Sequence, residues 1–504
     1  MKRILYNIAA LFLIAGCGPD GSEQTDQGKL VVDKESLEFS AEGGEQTFTV
    51  TTSRTMYLLP GDSWINAEKG TKDKNGKTVV TVAVEPNDWP EERSSTVSVV
   101  AGDARKSVEI RQAAGTGVSG DAPVHGDNAA WKMAQKLGLG WNLGNHFDAY
   151  NNGVSGETAW GNPKATQATF TKLRAIGFKT VRIPVTWLGH IGAAPEYKIE
   201  EAWLNRVAEV VGYAESAGLN VIINMHHDGA DSNHWLDIKT AAKDQEVQKQ
   251  IVARVKAMWT QIAEKFRDKG DFLIFEAFNE IHDGGWGWGE NRSDGGKQYA
   301  CLNEWNQTFV DAVRAAGGSN ASRVLGIPAY CTNVDIALES FQMPDDTVKD
   351  KLMISVHCYD PHEYTLTAKY SEWGHNAAAS KKAPGDNEAD LRKVFEKLYK
   401  NYVSKGIPVY FGEFGCVNRA SEREQQFQQY YLKYFTKLAA LNGVPSVIWD
   451  NGAAGAGNEK HAFVNHASGE FCSEEARAAI QAMIASYTDS RSLDDIYDSS
   501  PEKE

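Results

Sequence analysis

FLIFEAFNE, residues 272–280, is a short apolar run that closes on a polar pair, Asn279 and Glu280. A longer amphipathic run, VQKQIVARVKAMWTQIAEKF (247–266), precedes it. Seven more short runs of this kind follow the same rhythm: LGLGWNLGN (137–145), TVRIPVTW (180–187), NVIINMHHD (220–228), RVLGIPAY (323–330), LMISVHCYD (352–360), IPVYFGEFG (407–415) and VPSVIWDNG (444–452). Helical stretches such as WLNRVAEVVGYAESAG (203–218) separate them. Eight strand–helix repeats over residues 129–488 predict an α/β fold, a (β/α)8 TIM barrel. Active sites of that fold lie at the C-terminal strand ends, where this sequence gathers its polar and aromatic residues.

Upstream of the barrel the period changes to two. Leu37/Phe39, Phe48/Val50, Val80/Val82/Val84, Val97/Val99 and Val108/Ile110 alternate with polar residues between turn signals such as Gly43-Gly44 and Asn75-Gly76. Short half-buried strands at this spacing predict a small all-β sandwich over 30–113. A Gly/Ser/Pro-bearing linker at 114–128 joins the two, and the acidic stretch 489–504 is expected to be disordered. At the other end, Lys2 and Arg3 precede a mostly apolar segment, Ile4 to Ile14, too short to cross a bilayer. Ile14-Ala15-Gly16-Cys17 resembles a bacterial lipoprotein processing box. The resemblance implies a signal peptide at 1–16, lipid on Cys17 and a flexible tether at 17–29. The chain would then be anchored to the outer membrane, facing the cell exterior.

Composition narrows the function classes. With 52 Lys+Arg against 67 Asp+Glu, the formal charge of −15 and the lack of a basic run exclude nucleic acid as a partner. Besides Cys17 there are five scattered cysteines with no C-x-x-C pair, so neither a disulfide framework nor a structural zinc is expected. No cofactor is implied, and the chain is expected to act as a monomer. Fourteen tryptophans in a polar, acidic protein are unusual, and some of them should meet a ligand.

Glu280 and Glu413 end strands that are otherwise apolar. A carboxylate there is costly unless it is paired or functional, and two of them around one barrel mouth are what glycoside hydrolysis requires. One must be protonated to release the leaving oxygen, and the other ionised. The stretch from about 130 to 485 resembles glycoside hydrolase family 5, in its endo-glucanase/xyloglucanase branch. The motifs that carry the likeness are GLGWNLGN, ETAWGNP, GFKTVRIPVTW, VIINMHHDG, FEAFNE, SVHCYDP, YFGEFG and VIWDNG, in order along the barrel. The resemblance implies that Glu280 is the acid/base and Glu413 the nucleophile, about 5–5.5 Å apart for a retaining mechanism. It implies that Asn279 binds the sugar 2-hydroxyl and that Arg182 and Tyr359 hold Glu413. His226 and His357 would orient the sugar and the acid/base, with Trp449 as the floor under the cleaved unit. His227 and Asp228 read as supporting residues. His146 and Ile281 depart from the family's usual threonine and proline and could reshape a sugar site. The segment 30–113 resembles the BACON module of Bacteroidetes polysaccharide-degrading proteins through SLEFSAEGGEQTFTVTT, SWIN and VSVVAGDARKSVEIRQAA. With only Trp64 and Trp89, it reads as a spacer before a binding module, with Trp64 in its core.

Pyranose faces stack on aromatic rings. Trp286 and Trp288 stand among glycines in HDGGWGWGEN, with no apolar neighbours to bury them, and are the leading sugar contacts. Trp160, Trp187, Trp235 and Trp373 are weaker candidates, while Trp203, Trp259 and Trp305 sit in helical runs and read as core. A line of exposed rings suits internal cleavage of a neutral polymer. The implied substrate is a β-1,4-glucan such as xyloglucan, with mixed-linkage glucan or xylan as alternatives. Two rival readings are a metal-dependent hydrolase, whose usual ligand pair on the first strand is absent, and a non-catalytic glycan-binding barrel, which would not need both glutamates.

Overall fold

The structure is a computed structural model that describes residues 30–503 apart from 63, 88–91, 103, 116–124, 230–233 and 385–386. The signal segment, Cys17, the tether at 17–29, Trp89 and most of the 114–128 linker lie outside the described residues. The chain divides into two units, 1–118 and 119–504.

In the first unit, one four-stranded sheet runs Val31–Val32, Gly44–Thr51, Lys77–Val84, Ile65–Lys69, and the other Ser36–Phe39, Ala104–Gln112, Arg93–Ala101, Tyr57–Pro60. The alternating residues of both sheets meet in one core that holds Leu37, Phe39, Phe48, Val50, Val80, Val82, Val97, Val99, Val108 and Ile110. Trp64, expected in the core, is instead half-buried against its edge, with the Arg93 guanidinium 4.4 Å over its ring.

The second unit is the barrel. Its strands are β1 (Leu139–Asn142), β2 (Thr180–Ile183), β3 (Asn220–Ile223), β4 (Leu273–Glu276), β5 (Leu325–Pro328), β6 (Leu352–Cys358), β7 (Val409–Phe414) and β8 (Ser446–Ile448). They pair in parallel in chain order, and β8 closes on β1. All their residues except Asn220 are buried, as a sheet covered on its helix side and filled inside demands. Most of the strands are only about half as long as the apolar runs suggested. The second half of NVIINMHHD and of FLIFEAFNE is the loop that carries site residues. Between Val356 and His357 the β6–β7 register shifts, and beyond it His357 pairs with Glu413. Such a bulge re-aims side chains at a strand end.

Helices start where capping chemistry allows. Asp244 caps Gln245–Lys265, Asn387 caps Glu388–Asn401, and Ser421 with Glu424 forms a capping box for Glu422–Leu441. Trp203, Trp259 and Trp305 are buried on helices, as expected. The stretch 489–504 departs from the expectation of disorder. Ser492 and Asp495 form a capping box for a helix at Leu493–Tyr497, and Leu493 and Ile496 are buried. Tyr497 stacks on His375 at 3.9 Å, and Lys437 reaches Asp489 at 3.1 Å. Two apolar residues three apart suffice to dock one short helix, even in an acidic segment.

Candidate active site

Arg182 is the site's centre of gravity. It lies on β2 inside the barrel with no solvent exposure, so each of its five N–H groups must find an acceptor. Each does. Nε and Nη2 donate to Glu276 Oε1 at 3.1 and 2.7 Å, and Nη2 also to Asn279 Oδ1 at 2.7 Å. Nη1 donates to Asn142 Oδ1 at 3.0 Å and to Glu413 Oε1 at 2.8 Å. Burial alone would lower its pKa, but Glu276 and Glu413 hold it above the usual value.

Glu413 is fixed from its other side by Tyr359, whose hydroxyl donates to Oε2 at 2.8 Å. Burial, then the Glu413 charge, pushes the Tyr359 phenol well above its ordinary pKa, so it remains a donor. Cys358, between His357 and Tyr359, turns away toward Asp360, as strand alternation requires.

Glu280 follows β4 and accepts from His357 Nδ1 at 2.7 Å. Burial pushes its carboxyl up to about 7, with Glu276 adding to the shift, while burial takes His357 down to about 4. A neutral imidazole therefore faces a carboxyl that is a weak acid near neutrality. One ligand atom each from Glu280, His357 and Glu413 lie within 4.8 Å of one another. Gly412 makes room for this, because a Cβ there would sit 3.0 Å from His357 Nε2 and 3.3 Å from Glu276 Oε2.

Trp449 and His226 form parallel rings, with centroids 6.0 Å apart. Behind Trp449, buried Asp450 accepts from Trp141 Nε1, from the backbones of Gly452, Phe463 and Val464, and pairs with His466 at 3.0 Å. A Cβ at position 144 would lie 2.9 Å from the Trp449 ring, so Gly144 is required for the ring to seat. His227 and Asp228 do take supporting places. Asp228 accepts from the Trp187 backbone and from Trp235 Nε1, and His227 lies 5.7 Å from Trp160.

His226, His227, Asn279, Glu280, His357, Tyr359, Glu413 and Trp449 floor a cleft of about 880 Å³, with Arg182, Asp228 and Asp450 behind them. Trp286 and Trp288 line it, 59 % and 73 % exposed. The first stacks on His282 at 4.2 Å, and the second is backed by Arg292 at 4.5 Å. Asp283 clamps their loop by accepting from the Gly285 and Asn291 backbones and from Gln298. Trp286 itself has φ +52, a strained value held by this clamp. Trp160 is exposed and extends the aromatic surface from His227 toward Tyr150. Trp187 and Trp373 do not belong to it. Trp187 is fully buried and donates to Asn224 O, and Trp373 is packed among Tyr430, Tyr431 and Tyr434. Trp235 is half-buried under Arg254 at 4.5 Å. His146 and Ile281 are buried and do not line the cleft.

Sequence reasoning missed Glu276 and the cleft wall formed by Asn333, Asp335 and the helix Glu388–Asn401 with Asp390, Lys393 and Lys397. Among the described residues, two groupings could approach a cation: Asp148/His226/His227 and the Glu280/His357/Glu413 set itself. Asp148 spends its carboxylate on the Asn145 and His146 amides. The five cysteines from 301 to 472 are free thiols.

Residues 145–455 match the family described as cellulase (glycosyl hydrolase family 5). A xyloglucan-specific endo-beta-1,4-glucanase of Bacteroides ovatus is 31 % identical over 479 residues, 90 % of this chain and 92 % of that protein. Endoglucanase A of Paenibacillus barcinonensis is 36 % identical over 351 residues, 66 % of this chain and 84 % of its own. The solved structure of a GH5-4 broad specificity endoglucanase from Bacteroides salanitronis superposes with a TM-score of 0.70 at 55 % identity, covering 73 % of this chain and 97 % of that one. The chain is therefore a glycoside hydrolase and belongs to glycosyl hydrolase family 5.

Proposed function

We propose that the chain is a retaining endo-β-1,4-glucanase that cuts internal bonds of plant cell-wall glucans, xyloglucan first, by double displacement. The observation that carries this reading is the approach of Glu280 and Glu413 to within 4.8 Å on the cleft floor, a spacing that leaves no room for a water between carboxylate and sugar. His357 Nδ1–H donates to Glu280 Oε1, so the other oxygen is free to carry the proton to the leaving glucosyl oxygen. Glu413, held by Arg182 and Tyr359, attacks the anomeric carbon and forms the glycosyl-enzyme. Glu280, now a carboxylate, then takes a proton from the water that releases the sugar. Asn279 gives its Oδ1 to Arg182, which turns its amide N–H groups toward the sugar 2-hydroxyl, a contact that strengthens in the oxocarbenium-like transition state. Trp449 supports the cleaved unit, and the exposed Trp286, Trp288 and Trp160 track a polymer rather than a chain end.

The Bacteroides ovatus relative, whose likeness spans 90 % of this chain, supports xyloglucan as the preferred polymer. A broader β-1,4-glucan range, with mixed-linkage glucan and xylan, is the second reading. It is favoured by the 55 % identity to the broad specificity enzyme. A panel of tamarind xyloglucan, barley β-glucan, carboxymethylcellulose, xylan and mannan with product sizing separates the two. Xyloglucan should give the highest kcat/KM, with oligosaccharides released at an early stage. NMR of the first products should find the β-anomer, and an α-anomer would refute retention. In the same assay Trp288→Ala should raise KM for the polymer by roughly tenfold, the worth of about one stacked ring, and leave an aryl cellobioside nearly unaffected.

Cys17 would carry lipid, the chain would be a monomer held on the outer membrane facing outward, and the BACON-like sandwich would act as a spacer. Labelled palmitate should enter the wild-type chain and not Cys17→Ser.

A further inference from the structure

We propose that Glu276 is a positioning residue of the hydrolysis: a dry, fixed negative charge that holds Arg182 in the one orientation that serves Glu413 and Asn279 together. The proposal rests on the two-glutamate reading above.

Glu276 closes β4, four residues before Glu280, has no solvent exposure and does not line the cleft. Besides the two bonds from Arg182, it accepts from Asn224 Nδ2 at 2.9 Å, Ser355 Oγ at 3.1 Å and the Tyr410 hydroxyl at 2.6 Å. Donors from β2, β6 and β7 and from the residue just after β3 thus saturate one carboxylate. A plain structural ion pair would need far less, because Arg182 already has Glu413 as a counter-charge.

The bond pattern explains the excess. Nη2 of Arg182 is shared between Glu276 Oε1 and Asn279 Oδ1, and Nη1 between Asn142 and Glu413. A guanidinium is a rigid planar fork, so a rotation that lost Glu276 would turn Asn279 away from the sugar and displace Glu413 at the same time. With Glu276 absent, the whole attraction of Arg182 would fall on Glu413, and a carboxylate drawn into an ion pair is a poorer nucleophile. Glu276 also reaches the acid/base. A Cβ at Gly412 would meet both its Oε2 and His357 Nε2, so the two groups border the same space, and His357 holds Glu280.

Electrostatics agree with the geometry. Burial would raise the pKa of Glu276, but Arg182 pulls it below the usual range, so the charge persists at working pH. The titratable groups that face Glu276 are Arg182 on β2, His357 on β6 and Tyr410 on β7. Those that face Glu280 are His357, His282, Arg182, Tyr359, Cys331, Glu459 and Glu413. Removing the Glu276 charge makes Glu280 easier to ionise.

Glu276→Gln in the full chain is the test, read by thermal melting, by kcat and KM on an aryl β-cellobioside and by the pH profile of kcat/KM on xyloglucan. We expect kcat to fall about tenfold to hundredfold, the worth of one charged hydrogen bond, with KM nearly unchanged. The alkaline limb should move to lower pH, and Glu276→Asp, which keeps the charge, should restore its position. A folded Glu276→Gln with wild-type kcat and an unmoved limb would overturn the proposal. Should that variant fail to fold, Tyr410→Phe decides, since it removes the 2.6 Å bond and leaves the Glu276 carboxylate and its bonds from Arg182 in place. A few-fold loss of kcat at constant KM supports the role, and an unchanged kcat overturns it. Glu413→Gln is assayed alongside. An active Glu413→Gln refutes the two-glutamate reading and this proposal with it, whereas an inactive one beside a normal Glu276→Gln refutes this proposal alone.

Discussion

Glu413→Gln should lose turnover by about four orders of magnitude or more while the barrel melts within a few degrees of wild type. Both halves of that expectation come from the two donors around Glu413. Arg182 Nη1 donates to Oε1 and the Tyr359 hydroxyl to Oε2. Glutamine can keep its oxygen toward Arg182, which cannot accept, and turn its NH2 toward Tyr359, whose hydroxyl can accept. Arg182 retains Glu276 as its counter-charge, so no buried cation is stranded. The shape, the packing and the hydrogen bonds survive, and only the nucleophile is gone. Glu413→Leu is the contrasting case. It strands a fully buried Arg182 N–H and takes the Tyr359 hydroxyl's partner away, and should cost about 3 kcal/mol of stability. A 2-deoxy-2-fluoro glycoside with a good leaving group should label Glu413 in the wild type, seen as a mass shift on its peptide. A label on another residue, or a Glu413→Gln variant within tenfold of wild type, would remove Glu413 from the role.

The reason one family solution is visible from so few residues is that charge inside a barrel is expensive. Arg182 needs two carboxylates to be tolerated, and the guanidinium that Glu276 and Glu413 neutralise also aims Glu413 through Nη1 and Asn279 through Nη2. Support and function are therefore the same contacts. Stability effects at Glu276, Arg182 and Glu413 should not add, because each variant changes the charge balance that the other two experience.

How much of this was legible in the sequence depended on whether a residue carried its reason locally. Glu280 and Glu413 were legible because a carboxylate that ends an apolar run has a cost visible in the run itself. Glu276 sits inside FLIFEAFNE, and nothing near it explains its tolerance. Its partners are 94 residues upstream, at Arg182, and 134 downstream, at Tyr410. Trp286 and Trp288 were legible through their glycine neighbours. Trp373 also lies outside any apolar run, yet its loop folds back over the helix Glu422–Leu441, which no local pattern records. The wall from Glu388–Asn401 was hidden for the opposite reason: a polar helix face that meets a polysaccharide looks the same as one that meets water. The helix at Leu493–Tyr497 buries only Leu493 and Ile496 and adds the stacking of Tyr497 on His375, a pattern too short for periodicity to resolve.

Hydrolysis of polymer should fall on the alkaline side of about pH 7, and the fall should belong to Glu280. Its folded value of about 7 lies above the ordinary 4.5, chiefly because burial penalises the charged form. The acid is needed in its protonated state for departure of the sugar oxygen, so kcat/KM is fully expressed below the folded value and lost as pH rises through it. A 2,4-dinitrophenyl cellobioside needs little protonation to leave, and its profile should stay flat across the same window. Glu280→Ala should then lose about 10²- to 10⁴-fold on xyloglucan but far less in glycosylation by the dinitrophenyl substrate. The same shift has a stability consequence with a definite sign. A carboxyl whose pKa is raised on folding favours the folded state most below its unfolded value. That contribution drains away between about pH 4.5 and 7, up to about 3 kcal/mol. Glu280→Gln, which keeps an acceptor for His357 and cannot ionise, should therefore melt higher than wild type at pH 8 and nearly the same at pH 4. A lower melting temperature at pH 8 would mean that the charged form of Glu280 is stabilised in the fold. The alkaline limb would then have to come from another group.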